Sequence, residues 1–311
     1  MKLFTVLVAG LFAMSLSAAT PTNLPCSVLT KDNAITFNDY FSGEYVANVV
    51  QKAKVLDGKF KSKEPLCLVI ASGGGSIDAG VELIENMNNL NRPVHTITLF
   101  AASMGFHTVQ GIKGQRFITT DGTLMSHKAR GGFYGEFPGQ LESRYFYYLK
   151  RILRLDEGVV ERTNGKFNAK TYASLIENEY WCDGQECINN GFADATIAPK
   201  CDDSLNGTYK KVLDRWMYMG HVIELIATYA ICPLQTEMLA WNGFIDGKPV
   251  FTDDPNASTE DITTDYVSTF FLASTISVLR TLSVETAENI KLQITSKMVE
   301  RNTLRKDIRK Y

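Results

Sequence analysis

The sequence predicts an α/β domain of stacked β-β-α units, followed by a helical C-terminal extension. Two observations carry this prediction. Between residue 33 and about residue 198, short apolar runs alternate with stretches of helical periodicity. Beyond Cys201 that alternation stops and longer uniform runs take over, with a loop over Asp202–Gly207 between the two regimes. The domain boundaries follow: a leader over 1–19, a short segment over 20–32, the α/β domain over 33–200 and the extension over 201–311.

Each element has its own signal. Ile35 to Asn38 reads as a strand, and Gly43 to Val55 as a helix with Tyr45, Val46, Val49 and Val50 on its apolar side. Gly58 to Glu64 reads as a loop. Cys67 to Ala71 is a buried strand, and Ile77 to Asn89 a helix with Val81, Leu83, Ile84 and Met87 at helical spacing. Asn91-Arg92-Pro93 ends that helix and opens the strand Val94 to Leu99. Ser103 starts a helix to about Gly111. Arg116 to Thr119, with Leu124-Met125, forms the next strand. Gly131 to Gly139 is a loop, Leu141 to Arg162 a long helix, Ala169 to Asn178 another, and Gly191 to Ile197 a closing turn and strand. In the extension, Tyr209 to Ile231, Tyr266 to Leu282 and Glu285 to Tyr311 read as helices.

The bulk properties exclude some classes. A net charge of −2 gives no electrostatic ground for a nucleic-acid partner. Lys2, the apolar stretch Leu3 to Leu16 and the small residues Ser17-Ala18-Ala19 make a secretory leader cleaved after Ala19, leaving no membrane span in the mature chain. Export, to a periplasm or out of the cell, is compatible with disulfides, and six cysteines remain: Cys26, Cys67, Cys182, Cys187, Cys201 and Cys232. Cys67 reads as a buried small hydrophobe inside its strand. Pairing is expected among the last four, with connectivity open. No histidine lies near Cys182 and Cys187, so neither a metal nor any other cofactor is expected.

The chemistry concentrates at three strand ends. Gly73-Gly74-Gly75 follows the first strand and lets a backbone N–H, that of Gly75, approach a ligand oxygen. Ala101-Ala102-Ser103-Met104-Gly105 follows the second. Ser103 there stands between strand and helix, with the N–H of Met104 aimed at the same place. Met125-Ser126-His127 follows the third and supplies an imidazole. A serine hydroxyl, a base and two N–H donors are the parts that acyl transfer to water requires. Among the other histidines, His95 lies in a strand run, His107 one helical turn after Ser103, and His221 in the extension.

Together these motifs resemble the proteolytic subunit of the Clp protease. The likeness includes the glycine turn before a helix, Pro93-Val94, Ala101 to Gly105, Gly114-Gln115-Arg116-Phe117, Met125-Ser126-His127, Gly131-Gly132, Gly139-Gln140, Thr163-Asn164-Gly165 and Gly191-Phe192-Ala193-Asp194. The resemblance covers about 33 to 198 and implies the spiral of β-β-α units shared by Clp peptidases and crotonases. It implies Ser103 as nucleophile, His127 as general base, and Gly75 and Met104 as the oxyanion hole. The family's aspartate falls on Glu179, with Glu177 and Asp183 as neighbouring acids. Gly73 stands where the family has proline.

The implied activity is a serine endopeptidase acting on peptides or unfolded polypeptides without ATP, assembled as a homo-oligomer through the long helix. Three alternatives use related parts. They are a membrane-associated Ser–Lys enzyme like signal-peptide peptidase with Lys128 as base, a crotonase-type acyl-thioester enzyme, and a catalytically inactive scaffold.

Overall fold

The computed structural model describes residues 24–59, 64–218 and 221–252. The expected leader and the helices expected over 266–282 and 285–311 lie outside the described residues. The chain divides into two compact units, 1–200 and 201–311.

In the first unit, β1 (Val28–Leu29) precedes β2 (Ala34–Phe37) and α1 (Gly43–Lys59). Then come β3 (Leu66–Ser72), α2 (Ile77–Asn88), β4 (Val94–Ala102), α3 (Met104–Gly111) and β5 (Arg116–Ser126). The long helix α4 (Gly139–Glu161), α5 (Ala169–Leu175), β6 (Tyr180–Asp183), α6 (Gly184–Asn189) and β7 (Ala195–Thr196) complete it, and β8 (Lys200–Cys201) pairs with β1 where the unit ends.

The main sheet has the order β2-β3-β4-β5-β6, with β7 also on β5. Strands β2 to β5 run parallel, and β6 closes the edge antiparallel, with Leu124 opposite Cys182. A parallel strand covered on both faces reads as a continuous apolar run, and in β3 every residue but Ala71 is buried. α1 buries Val46, Val49, Val50, Ala53 and Leu56, the spacing of one helical face. Ser76 caps α2 by accepting the N–H of Ala79, and Leu83 and Met87 lie beneath. α4 is different: only Val159 is fully buried, and Tyr145, Phe146, Tyr147 and Leu153 stay about half exposed.

Arg116 locks the start of β5 to the closing turn. Its side chain is buried and its guanidinium meets Asp194 Oδ1 at 2.5 Å, Gln110 Oε1 at 2.6 Å and the carbonyl oxygen of Gly191 at 2.9 Å. Its own backbone N–H donates to Asp194 Oδ2 at 2.7 Å. Burial pushes the Asp194 carboxyl up, but these hydrogen bonds and the charges of Arg116 and Arg162 outweigh it and hold it below its ordinary value.

Two expectations are corrected here. Cys67 is bonded to Cys26, with 41 residues of separation. The chain-entropy model gives a loop of that length about 4 kcal/mol of stabilisation. A small apolar run hides a cystine as readily as a free thiol, so sequence pattern alone could not tell them apart. The other pairs are Cys182–Cys187 and Cys201–Cys232, and no cysteine is free.

The second correction is the extension. Over 208–252 it is a four-stranded antiparallel sheet, not helical: β9 (Thr208–Tyr218), β10 (His221–Ala230), β11 (Met238–Ile245) and β12 (Lys248–Thr252). Ile223, Leu225 and Ala227 are buried while Glu224, Ile226 and Thr228 are not, which is the period of a strand. A stretch such as Tyr209 to Ile231, whose apolar residues are interrupted by charged ones, satisfies helix and strand templates alike. Here β-branched and aromatic side chains, paired across β9 and β10, decide for the sheet.

Replacing Arg116 by Met should leave the Asp194 carboxylate without its main partner. We expect a loss on the order of 3–5 kcal/mol, read from urea unfolding. A midpoint equal to that of wild type would refute the lock.

Candidate active site

The site begins with the reversal of the chain between β4 and α3. Ser103 has φ 57° and ψ −117°, in the left-handed half of conformational space. A non-glycine residue there costs about 1–3 kcal/mol and persists only where its surroundings enforce it. The enforcement is visible. The Ser103 N–H donates to the carbonyl of Met125 at 2.9 Å, the His107 N–H donates to the carbonyl of Ser103 at 3.2 Å, and the Thr108 hydroxyl donates to the carbonyl of Met104 at 2.9 Å. The Ser103 hydroxyl makes no cap to α3. It is turned instead to His127, whose Nε2 lies 2.8 Å from Oγ.

The glycine turn packs directly against this reversal. A Cβ on Gly74 would lie 2.6 Å from the Cβ of Ser103 and 2.8 Å from the carbonyl oxygen of Ala102. A Cβ on Gly75 would lie 2.7 Å from the backbone nitrogen of Phe41. Both glycines also have positive φ, 103° and 146°. Phe41 N–H donates to the carbonyl of Gly74 and Ser76 N–H to that of Phe41, a bridge that leaves the N–H of Gly75 out. Gly73 has open space around it and no such φ.

His127 leaves the end of β5. Behind it, the buried hydroxyls of Ser126 and Tyr172 are 2.8 Å apart and tie β5 to α5. Its Nδ1 is buried and has no hydrogen-bond partner. The structure brings Ser103, His127, Gly75 and Met104 to one cavity of about 610 Å³. It does not bring Glu179 onto His127. The Glu179 carboxylate binds Arg130 at 2.9 Å, and the neighbouring Glu177 holds Lys128. Both acids nevertheless share a smaller cavity, of about 350 Å³, with His127, and Glu179 has a φ of 70°. Asp183 lies at the end of β6, paired with Thr123 on β5.

The remaining histidines are placed otherwise. His95 Nδ1 accepts the Gln115 N–H at 2.8 Å, and burial lowers its pKa. His221 meets Asp246 within the second unit at 2.6 Å. His107 lines the same cavity as Ser103, its Nδ1 unpartnered. Burial, and after it the like charge of His127, push its pKa down to about 4.

Sequence reasoning passed over Asp156, which lines the cavity from α4, and the Ser126–Tyr172 pair. The signal for Asp156 was available: Tyr145, Leu149, Ile152 and Val159 share a heptad-like stripe, and Asp156 occupies its missing place.

A serine on a strained strand-to-helix turn, an imidazole on its hydroxyl and a glycine turn packed alongside are parts of the kind that acyl transfer uses. A family model for Clp protease matches residues 19–200. The chain belongs to that family. Its relatives include ATP-dependent Clp protease proteolytic subunits of Streptococcus mutans and Streptococcus gordonii. The first is 29% identical over 173 residues, which is 54% of this chain and 86% of that one. The second is 28% identical over 174 residues, 55% and 88% of the two chains. A Streptococcus pneumoniae subunit is 28% identical over 182 residues, 58% and 90%. The mixed sheet with its flanking helices is the fold that this membership implies.

Gly73→Ala should leave folding and serine reactivity near wild type, whereas Gly74→Ala should abolish reactivity by displacing Ser103. Labelling by a fluorophosphonate on both variants reads this, and equal labelling would refute the close approach. For His107, the depressed pKa means that the unfolded chain binds more protons between pH 6.5 and about 4. Stability therefore rises with pH through that window, is complete above it, and is lost as pH falls through it. His107→Gln should flatten this dependence, so thermal midpoints of variant and wild type should converge on acidification from pH 7.5 to 4.5. Parallel curves would contradict this.

Proposed function

We propose that this protein is an exported serine endopeptidase that cleaves peptides or unfolded polypeptides without ATP. The observation that supports it most is the 2.8 Å contact between Ser103 Oγ and His127 Nε2 on a turn of positive φ. In this reading His127 accepts the hydroxyl proton as Oγ bonds to the scissile carbonyl carbon. The N–H groups of Gly75 and Met104 receive the oxyanion. Collapse of the tetrahedral adduct transfers the proton to the leaving amine and leaves an acyl-Ser103, which water, deprotonated by His127, hydrolyses.

Glu179 is the acid that orients the imidazole, and it does so on release from Arg130. The unpartnered Nδ1 of His127 and the cavity that these residues share support this. Lys128, the base of a Ser–Lys alternative, is already engaged by Glu177, and the Ser103 hydroxyl faces an imidazole instead.

Export is supported by the leader-like N-terminus and by the three disulfides. It separates the enzyme from any cytoplasmic ATP-driven unfoldase. The half-exposed aromatic face of α4 supports a homo-oligomer.

The test is labelling of the mature protein by a fluorophosphonate, with peptidase assays and sedimentation alongside. Labelling should vanish in Ser103→Ala and fall steeply in His127→Ala, and Glu179→Gln should lower kcat by about 100-fold or more. A folded, unlabelled wild type would sink the peptidase reading. Full activity in Glu179→Gln would remove Glu179 from it, and a monomer at micromolar concentration would remove the oligomer.

A further inference from the structure

We infer that Asp156 makes this enzyme select a lysine or arginine side chain on the acyl side of the scissile bond. The inference rests on the peptidase reading above and adds the substrate class.

Asp156 lies on α4 within the stripe formed by Tyr145, Leu149, Ile152 and Val159, positions that otherwise carry apolar side chains. Three of these, Tyr145, Leu149 and Ile152, line the cavity that also holds Ser103, Met104 and Gly75, and Asp156 lines it with them. A carbonyl bonded to Ser103 Oγ would stand at this cavity, which Ser103, Gly75 and Met104 line together with Asp156, so its own side chain has that space to enter. Around Asp156 the cavity is lined by Leu149, Ile152, Leu155 and Ile176 together with the ring of Tyr145. An alkyl chain packs well against such walls, and a terminal charge needs a partner.

The charges of the cavity are already sorted. Lys128 is held by Glu177 and Arg130 by Glu179. Asp156 has neither a hydrogen bond nor an ion pair among the described residues. It is the carboxylate that lines this cavity, and no cation among the described residues pairs with it. Burial alone pushes its pKa up to about 6, the mark of a carboxyl whose charge is poorly solvated and uncompensated. Retaining a carboxylic acid at an apolar stripe position costs stability, and a ligand ammonium or guanidinium supplies the missing partner. A site with a partly buried, unmatched polar group discriminates between substrates, because the one lacking the complement leaves that group unpaired.

The experiment uses the full-length mature protein and peptidyl coumarin amides ending in Lys, in norleucine, which has an uncharged side chain of comparable length, or in Leu. At pH 8 wild type should favour Lys over norleucine in kcat/KM by about tenfold or more. The isosteric Asp156→Asn should bring that ratio close to one, and Asp156→Glu should keep a preference for Lys. Binding of the same peptides to Ser103→Ala, followed by fluorescence anisotropy, should show the same order without any turnover.

A wild type that cleaves norleucine or Leu substrates as well as Lys, or an Asp156→Asn enzyme that keeps the Lys preference, overturns the inference and leaves the peptidase reading intact. Absence of both cleavage and fluorophosphonate labelling is the failure of the peptidase reading itself. In that case Lys-selective binding that is lost in Asp156→Asn would still support the cation site, and its absence would overturn it.

Discussion

The backbone at Ser103 is the constraint on which the site depends. A side chain held at φ 57° does not stay there for reasons of its own. It is held by a hydrogen bond from its N–H to Met125 on the next strand, by the first turn of α3 and by the bare Cα of Gly74 pressed against it. The same geometry turns the hydroxyl away from the cap position, which it would otherwise fill, and toward His127. Sheet, helix and glycine turn therefore meet at one residue. A change in any of them moves the hydroxyl.

The sheet is kept in place at its far end by a different interaction. Arg116 reaches from the start of β5 to Asp194, Gln110 and the carbonyl of Gly191. This network ties β5 to the closing turn and to α3. Because His127 leaves the other end of the same strand, the ion pair and the imidazole are two ends of one rigid element. The Ser126–Tyr172 pair then sets that end against α5.

The electrostatics of the cavity follow from pairing. Lys128 and Arg130 are matched with Glu177 and Glu179, on the segment that leads into β6. Among the described residues, the Nδ1 of His127 has no acceptor and Asp156 no cation. One ring nitrogen of His127 and the Asp156 carboxyl are therefore still open to a partner. Under the proposed function, Glu179 complements the first and the substrate the second.

The sequence by itself determined the parallel core and the order of the motifs, because buried parallel strands and amphipathic helices impose periods that single residues cannot hide. It also marked Ser103, His127 and the glycines, since each stands at a strand end where its chemistry has few other uses. It could not determine partners that are chosen across space. Cys67 pairs with Cys26 over 41 residues, and the pattern of an apolar strand carries no trace of it. Glu179 has the right place in the order of motifs, yet its carboxylate goes to Arg130, because ion pairing depends on where two loops meet. The run from Tyr209 to Ile231 fits helix and strand alike, and only pairing between β9 and β10 decides it. Local pattern fixes what an element is when one period dominates. Tertiary structure decides wherever two periods, or two partners, are equally available.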